Sequence, residues 1–200
     1  KSLVLKFESY LNDQLKILVT GGAGYKGTVL VSKLLSLGHK VTVVDPCWFG
    51  SYLPEHADLS ILKSSVFESL ELIPKDIELA IILHSVANDP CSDLDPDLTW
   101  NTACYQTDCI LRALNHTSCK KVIFASSASI YGIRDEDIIH EELEPVAVTT
   151  YNKSKAVAER IILSYPQFNP VILRPATVCG LSPRMRLDTV VNMLSMQALT

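Results

Sequence analysis

Residues 17–30, ILVTGGAGYKGTVL, place four glycines, three of them spaced as G-x-x-G-x-x-G, between a short apolar run and an amphipathic stretch. Gly21, Gly24 and Gly27 therefore stand where a strand turns into a helix, a place at which backbone N–H groups can hold phosphate. Two kinds of nucleotide loop have this composition, the P-loop and the dinucleotide turn. A P-loop lysine follows the second glycine, whereas Lys26 precedes Gly27, so the spacing favours the dinucleotide turn.

An acidic residue supports this interpretation. Asp45 ends the second strand-like run, close to the ~20 residues that separate the glycines from the ribose-binding carboxylate of a dinucleotide site. A carboxylate there accepts hydrogen bonds from ribose hydroxyls and repels a 2′-phosphate. Residues 46–62 contain no Lys or Arg. The sequence therefore predicts NAD rather than NADP, the alternative being that Asp45 is a turn residue before Pro46.

Strand-like and helical patterns alternate along the whole chain. Near-continuous apolar strands separated by helices are typical of a parallel sheet that is covered on both faces. We therefore predict an α/β fold, a doubly wound parallel sheet of the Rossmann type. The predicted strands are Lys16–Thr20, Lys40–Asp45, 59–64, Ile77–Ser85, 120–129 and 170–175, and the main helices after the first are 98–114 and 152–164.

The composition limits the classes of partner that the chain is expected to bind. The net charge of −4 argues against a nucleic acid or an anionic membrane surface, and no apolar run reaches the ~18 residues of a membrane span. The six cysteines are scattered without metal-ligand spacing, so no metal site is predicted. Free thiols in a reducing compartment indicate a cytoplasmic location.

Five segments follow the glycine turn in a recognisable order: LHSVAN at 83–88, WNTACYQT at 100–107, ASSASIYG at 125–132, YNKSK at 151–155 and LRPATVCG at 173–180. With the turn, they resemble the extended short-chain dehydrogenase/reductase family, which includes NAD-dependent nucleotide-sugar epimerases and dehydratases. The resemblance implies NAD as cofactor, a nucleoside-diphosphate sugar as substrate and a homodimer paired through two long helices.

The resemblance also assigns the site. Ser127, Tyr151 and Lys155 match the catalytic residues, and Tyr151 and Lys155 share one helix face because they are four positions apart. The ammonium would lower the pKa of the tyrosine, and Ser127 would stabilise charge on the same substrate oxygen. The implied cofactor-binding residues are Gly21, Gly24, Tyr25, Lys26, Gly27, Asp45, Ser65, Val66, Ser85, Val86, Ala87, Asn101, Ala125, Tyr151, Lys155 and Pro175.

The residues after Ser127 bear on the reaction. The related 4,6-dehydratases carry an acidic residue there, whereas this chain has Ala128 and Ser129. That favours epimerisation at C4 through a transient 4-keto sugar. The alternatives are a 4,6-dehydratase, decarboxylase or reductase of the same family, or a catalytically idle NAD-binding module.

Two positions depart from the family pattern. Ser65 stands where an aspartate usually bonds adenine, and Lys26 replaces an aliphatic residue of the glycine turn. At the start of a helix, Lys26 is expected to extend toward solvent or to add weak positive potential near the diphosphate. We predict an N-terminal extension at 1–15, an NAD-binding domain at 16–182 and the start of a largely missing substrate lobe at 183–200.

Overall fold

The computed structural model describes residues 14–199, so most of the predicted extension at 1–15 lies outside it. Six strands form one parallel sheet in the order β3-β2-β1-β4-β5-β6. This is the doubly wound order that the alternating pattern predicts. The strands are β1 Lys16–Thr20, β2 Lys40–Val44, β3 Leu59–Leu62, β4 Leu79–Ile82, β5 Lys121–Ala125 and β6 Val171–Leu173.

Helices connect the strands and cover both faces of the sheet. They are α1 Tyr25–Ser36, α2 Val66–Ser69, α3 Asp89–Leu94, α4 Pro96–Trp100, α5 Gln106–Leu114, α6 Thr150–Leu163 and α7 Val190–Gln197. Short 3₁₀ turns lie at Leu70–Leu72, Ala128–Tyr131 and Pro166–Phe168. Within residues 14–199, none of these helices has the length and apolar character that a bilayer crossing requires.

The helix predicted at 98–114 is interrupted. A wide π-helical turn, Asn101–Tyr105, separates α4 from α5. Such turns insert an extra residue and re-aim the helix that follows. Here the turn packs against α6, and the Cys104 thiol donates a hydrogen bond to the carbonyl of Ser154. Apolar periodicity does not reveal the interruption, because buried residues recur both before and after the turn.

Alternation along the strands builds two cores. In β1, Leu18 faces the α5 and α6 side, where it packs with Phe124 and Ile162. Its neighbours Ile17 and Val19 face the α1 side instead. Every one of these side chains is at most 1% exposed, as expected for a sheet that is covered on both faces.

The strand order fixes the place of the site. The chain leaves β1 toward β2 and β3 on one side of the sheet, and β4, β5 and β6 extend the other side. The connections therefore diverge at the carboxyl ends of β1 and β4, and this divergence opens a crevice. The glycine turn follows β1 directly into that crevice.

Candidate functional site

The glycine turn is held against the ends of two neighbouring strands. Gly21 has a φ of +74° and donates its N–H to the carbonyl of Val44 at 2.8 Å. A Cβ added to Gly27 would lie 2.5 Å from the carbonyl oxygen of Gly21, so α1 packs on the turn only with glycine there. Gly24 caps α1 without a side-chain hydrogen bond, and the first turn of the helix contains no acidic residue. The N-terminus of α1 is therefore suited to an anion.

Asp45 ties the end of β2 to this turn. One carboxylate oxygen accepts the N–H of Ala23 at 3.0 Å and the other accepts that of Cys47 at 2.7 Å. The carboxylate thus stands beside the glycines, as the sequence predicts. Lys63 directly follows the stretch 46–62, which has no Lys or Arg, and its charge lowers the pKa of the Cys47 thiol, although burial raises that pKa overall.

Two serines follow β5 at the same edge of the sheet. The N–H of Ser126 donates to the carbonyl of Leu173 at 2.8 Å, which keeps this segment paired with β6. The Ser126 hydroxyl is enclosed and has no hydrogen-bond partner among the described residues. The Ser127 hydroxyl contacts that of Ser129 at 2.7 Å, and Ser129 in turn donates to the side chain of Asn152 at 2.7 Å.

Tyr151 and Lys155 lie in the first turns of α6, next to these serines. Thr149 caps the helix and accepts the N–H of Asn152 at 3.2 Å. Lys155 is 2% exposed and donates from Nζ to the carbonyl of Ala125 at 2.9 Å. Its ammonium also lies 4.7 Å from the centroid of the Phe124 ring. The structure therefore places Ser127 and Tyr151 side by side at one cavity, with Lys155 at Ala125, two residues before Ser127.

The pKa of Tyr151 does not depend on Lys155 in the way that the sequence predicts. Burial raises the pKa of Tyr151, while a hydrogen bond with Ser127 and the charge of Arg186 lower it. Lys155 is not among the groups that lower the pKa of this tyrosine, because its ammonium points to Ala125. Burial, followed by the charge of Lys26, lowers the pKa of Lys155 to about 7.

A cavity of about 420 Å³ opens in front of Tyr151. It is lined by residues of the glycine turn, of the segments after β4, β5 and β6, and of α6 and the C-terminal segment: Tyr25, Lys26, Asn88, Asp89, Ser126, Ser127, Ala128, Ser129, Tyr151, Pro175, Ala176, Thr177, Val178, Arg186 and Thr189. Four of its members, Tyr25, Lys26, Ser127 and Pro175, are predicted site residues besides Tyr151 itself. A second cavity of about 310 Å³ lies at the opposite, amino ends of the strands, near Lys16 and Lys40, away from this chemistry.

The chain after β6 closes one side of the cavity. The Tyr25 hydroxyl donates to the carbonyl of Gly180 at 2.7 Å and accepts from the side chain of Asn192 at 3.1 Å. Ser182 donates to the carbonyl of Tyr25 at 2.8 Å. These contacts span more than 150 residues of sequence, and the local motifs carry no signal for them. They hold residues 180–192 over the start of α1.

Charged groups that the sequence did not assign also reach the cavity. Asp89 begins α3 and accepts a hydrogen bond from the hydroxyl of Thr149. Arg186 forms a two-point ion pair with Asp188, with the Nε bond at 3.0 Å, and Asn88 donates to the same carboxylate at 2.7 Å. Arg184 stacks 4.1 Å from the ring centroid of Phe49, in the loop after β2.

The remaining predicted residues lie around the crevice rather than in the cavity. The Ser65 hydroxyl belongs to a capping box with Glu68 that starts α2, and the neighbouring Val66 is buried. Ser85, Val86 and Ala87 follow β4 and are partly exposed, and the Ser85 hydroxyl donates to the carbonyl of Val86 at 3.1 Å. Asn101 is exposed at the start of the π turn, where its side chain accepts from Gln106 at 3.1 Å.

The geometry of the crevice fits a dinucleotide. The close approach at Gly27 leaves the N-terminus of α1 open to a diphosphate, and the Asp45 carboxylate stands at the ribose end. At the other end, the enclosed Ser126 hydroxyl offers a hydrogen bond beside Tyr151. The predicted cofactor residues that follow β1, β2, β4 and β5 therefore lie at the same, carboxyl edge of the sheet.

Comparison with known proteins agrees with this geometry. The family described as "NAD dependent epimerase/dehydratase family" matches residues 17–199. A probable UDP-arabinose 4-epimerase 3 of Arabidopsis thaliana is 29% identical over 187 residues, covering 86% of this chain and 46% of the relative. A UDP-glucuronic acid 4-epimerase of Bacillus cereus, solved with UDP-glucuronic acid and NAD, is 26% identical with a TM-score of 0.81, covering 92% of this chain and 63% of the other.

A second solved structure differs in its reaction. TunA, an NAD-dependent NDP-hexosamine 5,6-dehydratase involved in tunicamycin biosynthesis, is 26% identical with a TM-score of 0.83, covering 94% of this chain and 62% of that protein. The chain spans about half, 41–55%, of the length of the curated relatives with which it was compared.

Proposed function

The chain belongs to the NAD-dependent epimerase/dehydratase family, and on that premise we propose that it epimerises a nucleoside-diphosphate sugar at C4 through a transient 4-keto sugar. The observation that carries the proposal is that Ser127 and Tyr151 line one cavity, with Lys155 bonded to the carbonyl of Ala125 two residues before Ser127. NAD, which the glycine turn and Asp45 would hold, would supply reversible hydride transfer at C4. The chain's own residues would move the proton.

Tyr151 is the proposed acid and base. Its phenol oxygen would take the proton of the C4 hydroxyl as the hydride leaves, and would return that proton when the hydride comes back. Burial raises the pKa of Tyr151, which makes proton return easy and proton removal difficult. Ser127 and Arg186 work against that burial, and both lie at the same cavity as the phenol.

Lys155 would position the catalytic groups through the backbone of β5. Its ammonium donates to the carbonyl of Ala125, the last residue of β5, and holds α6 close to the serines that follow this strand. Ser127 would hydrogen-bond the substrate oxygen and stabilise the negative charge that develops there. Ser129 and Asn152 orient this hydroxyl through a chain of hydrogen bonds.

One observation favours a second candidate, the elimination of water by a dehydratase. Ala128 and Ser129 supply no acid or base, but the carboxylate of Asp89 lines the same cavity from another direction. A carboxylate there could serve as the base that an elimination requires. The Asp89 carboxylate already accepts a hydrogen bond from Thr149, so we rank redox-only epimerisation above elimination.

Product analysis tests the proposal. The protein is incubated with NAD and a panel of UDP-, GDP-, CDP- and dTDP-sugars, and the products are separated by anion-exchange chromatography and identified by mass spectrometry. We expect one sugar to yield an isomer of unchanged mass. A product lighter by one water would support the dehydratase instead.

Tyr151→Phe and a matched control complete the experiment. Removing the phenol hydroxyl of Tyr151 should lower turnover at least about a hundredfold, the usual contribution of a positioned acid or base. Tyr165→Phe removes another phenol hydroxyl, which bonds Asp108 at 2.6 Å away from the cavity, and should leave turnover unchanged. NAD binding without conversion of any sugar in the panel would indicate an idle NAD-binding module.

Assembly and location complete the proposal. We propose that two copies pair through the surface of α5, α6 and the π turn, where Tyr105 and Leu163 are each more than half exposed. All six cysteines are free, which supports the proposed cytoplasmic location. The domain limits at 16–182 and 183–200 also remain predictions.

A further inference from the structure

Lys26 is the residue of the glycine turn that the proposed mechanism does not use. It is the second residue of α1, and its side chain lines the cavity that also contains Ser127, Tyr151 and Arg186. Lys26 is exposed, yet the protein around its amine and then the charge of Arg186 lower its pKa. An aliphatic residue at this position would carry no charge into the cavity.

The carboxylates near the cavity do not neutralise Lys26. Asp89 is engaged with Thr149, and Asp188 is engaged with Arg186. Within residues 14–199, the side chain of Lys26 makes no hydrogen bond and no ion pair. The charge of Lys26 therefore acts on whatever occupies the cavity.

That charge is felt at the reacting end of the site. Lys26 contributes to the lowered pKa of Lys155, after the larger effect of burial. In the proposed reaction, a hydride passes between the nicotinamide ring and the carbon whose oxygen contacts Tyr151, and such atoms must come within about 3–3.5 Å. The ring must therefore enter the same cavity as the Lys26 side chain.

The two redox forms of the cofactor differ in one relevant respect. The nicotinamide of NAD⁺ carries a positive charge and that of NADH carries none, whereas the diphosphate and both riboses are identical. A fixed cation near the ring therefore weakens the binding of NAD⁺ selectively. A cation that reaches only the diphosphate strengthens the binding of NAD⁺ and of NADH equally.

We infer that Lys26 is a specificity-determining charge that biases the bound dinucleotide toward its reduced form. This inference rests on the proposed function, since it assumes that NAD binds in the crevice. Two unit charges in a partly solvated site, at an effective dielectric constant of about 20, are expected to change a binding equilibrium by about tenfold. The consequence in turnover is a larger share of enzyme at the keto-sugar stage.

The test compares affinities, not activity. Dissociation constants for NAD⁺, NADH and ADP-ribose are measured by calorimetry for the unaltered chain, Lys26→Met and Lys26→Arg. We expect Lys26→Met to tighten NAD⁺ relative to NADH by about tenfold, because the repulsion is removed. Lys26→Arg keeps the charge and should keep the original ratio, and Lys26→Gln provides a second neutral variant of different shape.

The outcomes separate this inference from the proposed function. ADP-ribose has the diphosphate without the nicotinamide, so its affinity should change in parallel with that of NADH. An equal loss of all three ligands in Lys26→Met would show that Lys26 binds the diphosphate and would overturn the inference. An unchanged NAD⁺/NADH ratio would also overturn it. Failure of the unaltered chain to bind any of the three would instead refute the proposed cofactor.

Discussion

Replacing Lys155 by methionine should change how stability depends on pH. A lysine in the unfolded chain has a pKa of 10.5, whereas burial and the nearby charge of Lys26 lower the pKa of folded Lys155 to about 7. Between these values the unfolded chain holds a proton that the folded chain has lost. Raising the pH through this interval therefore favours the folded state.

The magnitude follows from the two pKa values. Each full pH unit over which the unfolded chain holds one more proton adds about 1.4 kcal/mol to the free energy of unfolding. Because folded Lys155 is still half-protonated at about pH 7, the gain from there to about pH 9 is roughly 2 kcal/mol. Lys155→Met has no proton to exchange at this position and should lack this increment. The methionine keeps the length of the side chain and loses the hydrogen bond to Ala125.

Urea denaturation at the two pH values measures the effect. Burial raises the pKa of Cys104 to about 11, which opposes the gain as the pH rises, but the thiol is present in both proteins and largely cancels in the comparison. Lys153→Met is the matched control, since Lys153 is exposed on the same helix and should leave the pH dependence unaltered. If Lys155→Met gained as much stability as the unaltered chain over this interval, the assignment of the lowered pKa to buried Lys155 would be wrong.

Two further substitutions test the cofactor crevice. Gly27→Ala places a Cβ 2.5 Å from the carbonyl oxygen of Gly21, so we expect a loss of about 1–3 kcal/mol in thermal or urea unfolding, together with loss of NAD binding. Gly38→Ala adds a carbon that meets no atom within 4 Å, although its φ of +85° makes the variant somewhat less stable; it should leave NAD binding intact, and an equal loss of NAD binding in both variants would contradict the close-approach argument. Asp45→Asn removes the charge that repels a 2′-phosphate and should narrow the preference for NAD over NADP in fluorescence titrations; with Lys63 close to Cys47, an unchanged preference would exclude Asp45 as its source.

Much of the fold is predictable because both faces of the sheet are buried. Strands such as Val41–Val44 are apolar at nearly every position, and no helix of this length would bury all of its sides. The predicted doubly wound sheet is confirmed, with strand ends correct to within a few residues. The resemblance drawn from the glycine turn and the five later segments is confirmed by the family match over residues 17–199.

The limits of the prediction have physical causes. The π turn at Asn101–Tyr105 depends on how α6 packs against it, which periodicity within one segment does not encode. The attachment of Gly180 and Asn192 to Tyr25 joins residues more than 150 positions apart. The roles of individual site residues remain predictions, because position in a crevice is not evidence of chemistry.

Charge distribution connects the two proposals. Lys26 and Arg186 both line the cavity, and Lys155, which is half-protonated near pH 7, donates to Ala125 nearby; Asp188 directly compensates only Arg186. Such an arrangement opposes a cationic ring and favours an alkoxide or a phenolate in the same space. The first effect favours the reduced cofactor, whereas the second favours the form of Tyr151 that can take the proton. Replacing Lys26 by a neutral residue should relieve the repulsion of the cationic ring without affecting Ser127. The NAD⁺/NADH affinity ratio therefore separates this effect from the catalytic chemistry.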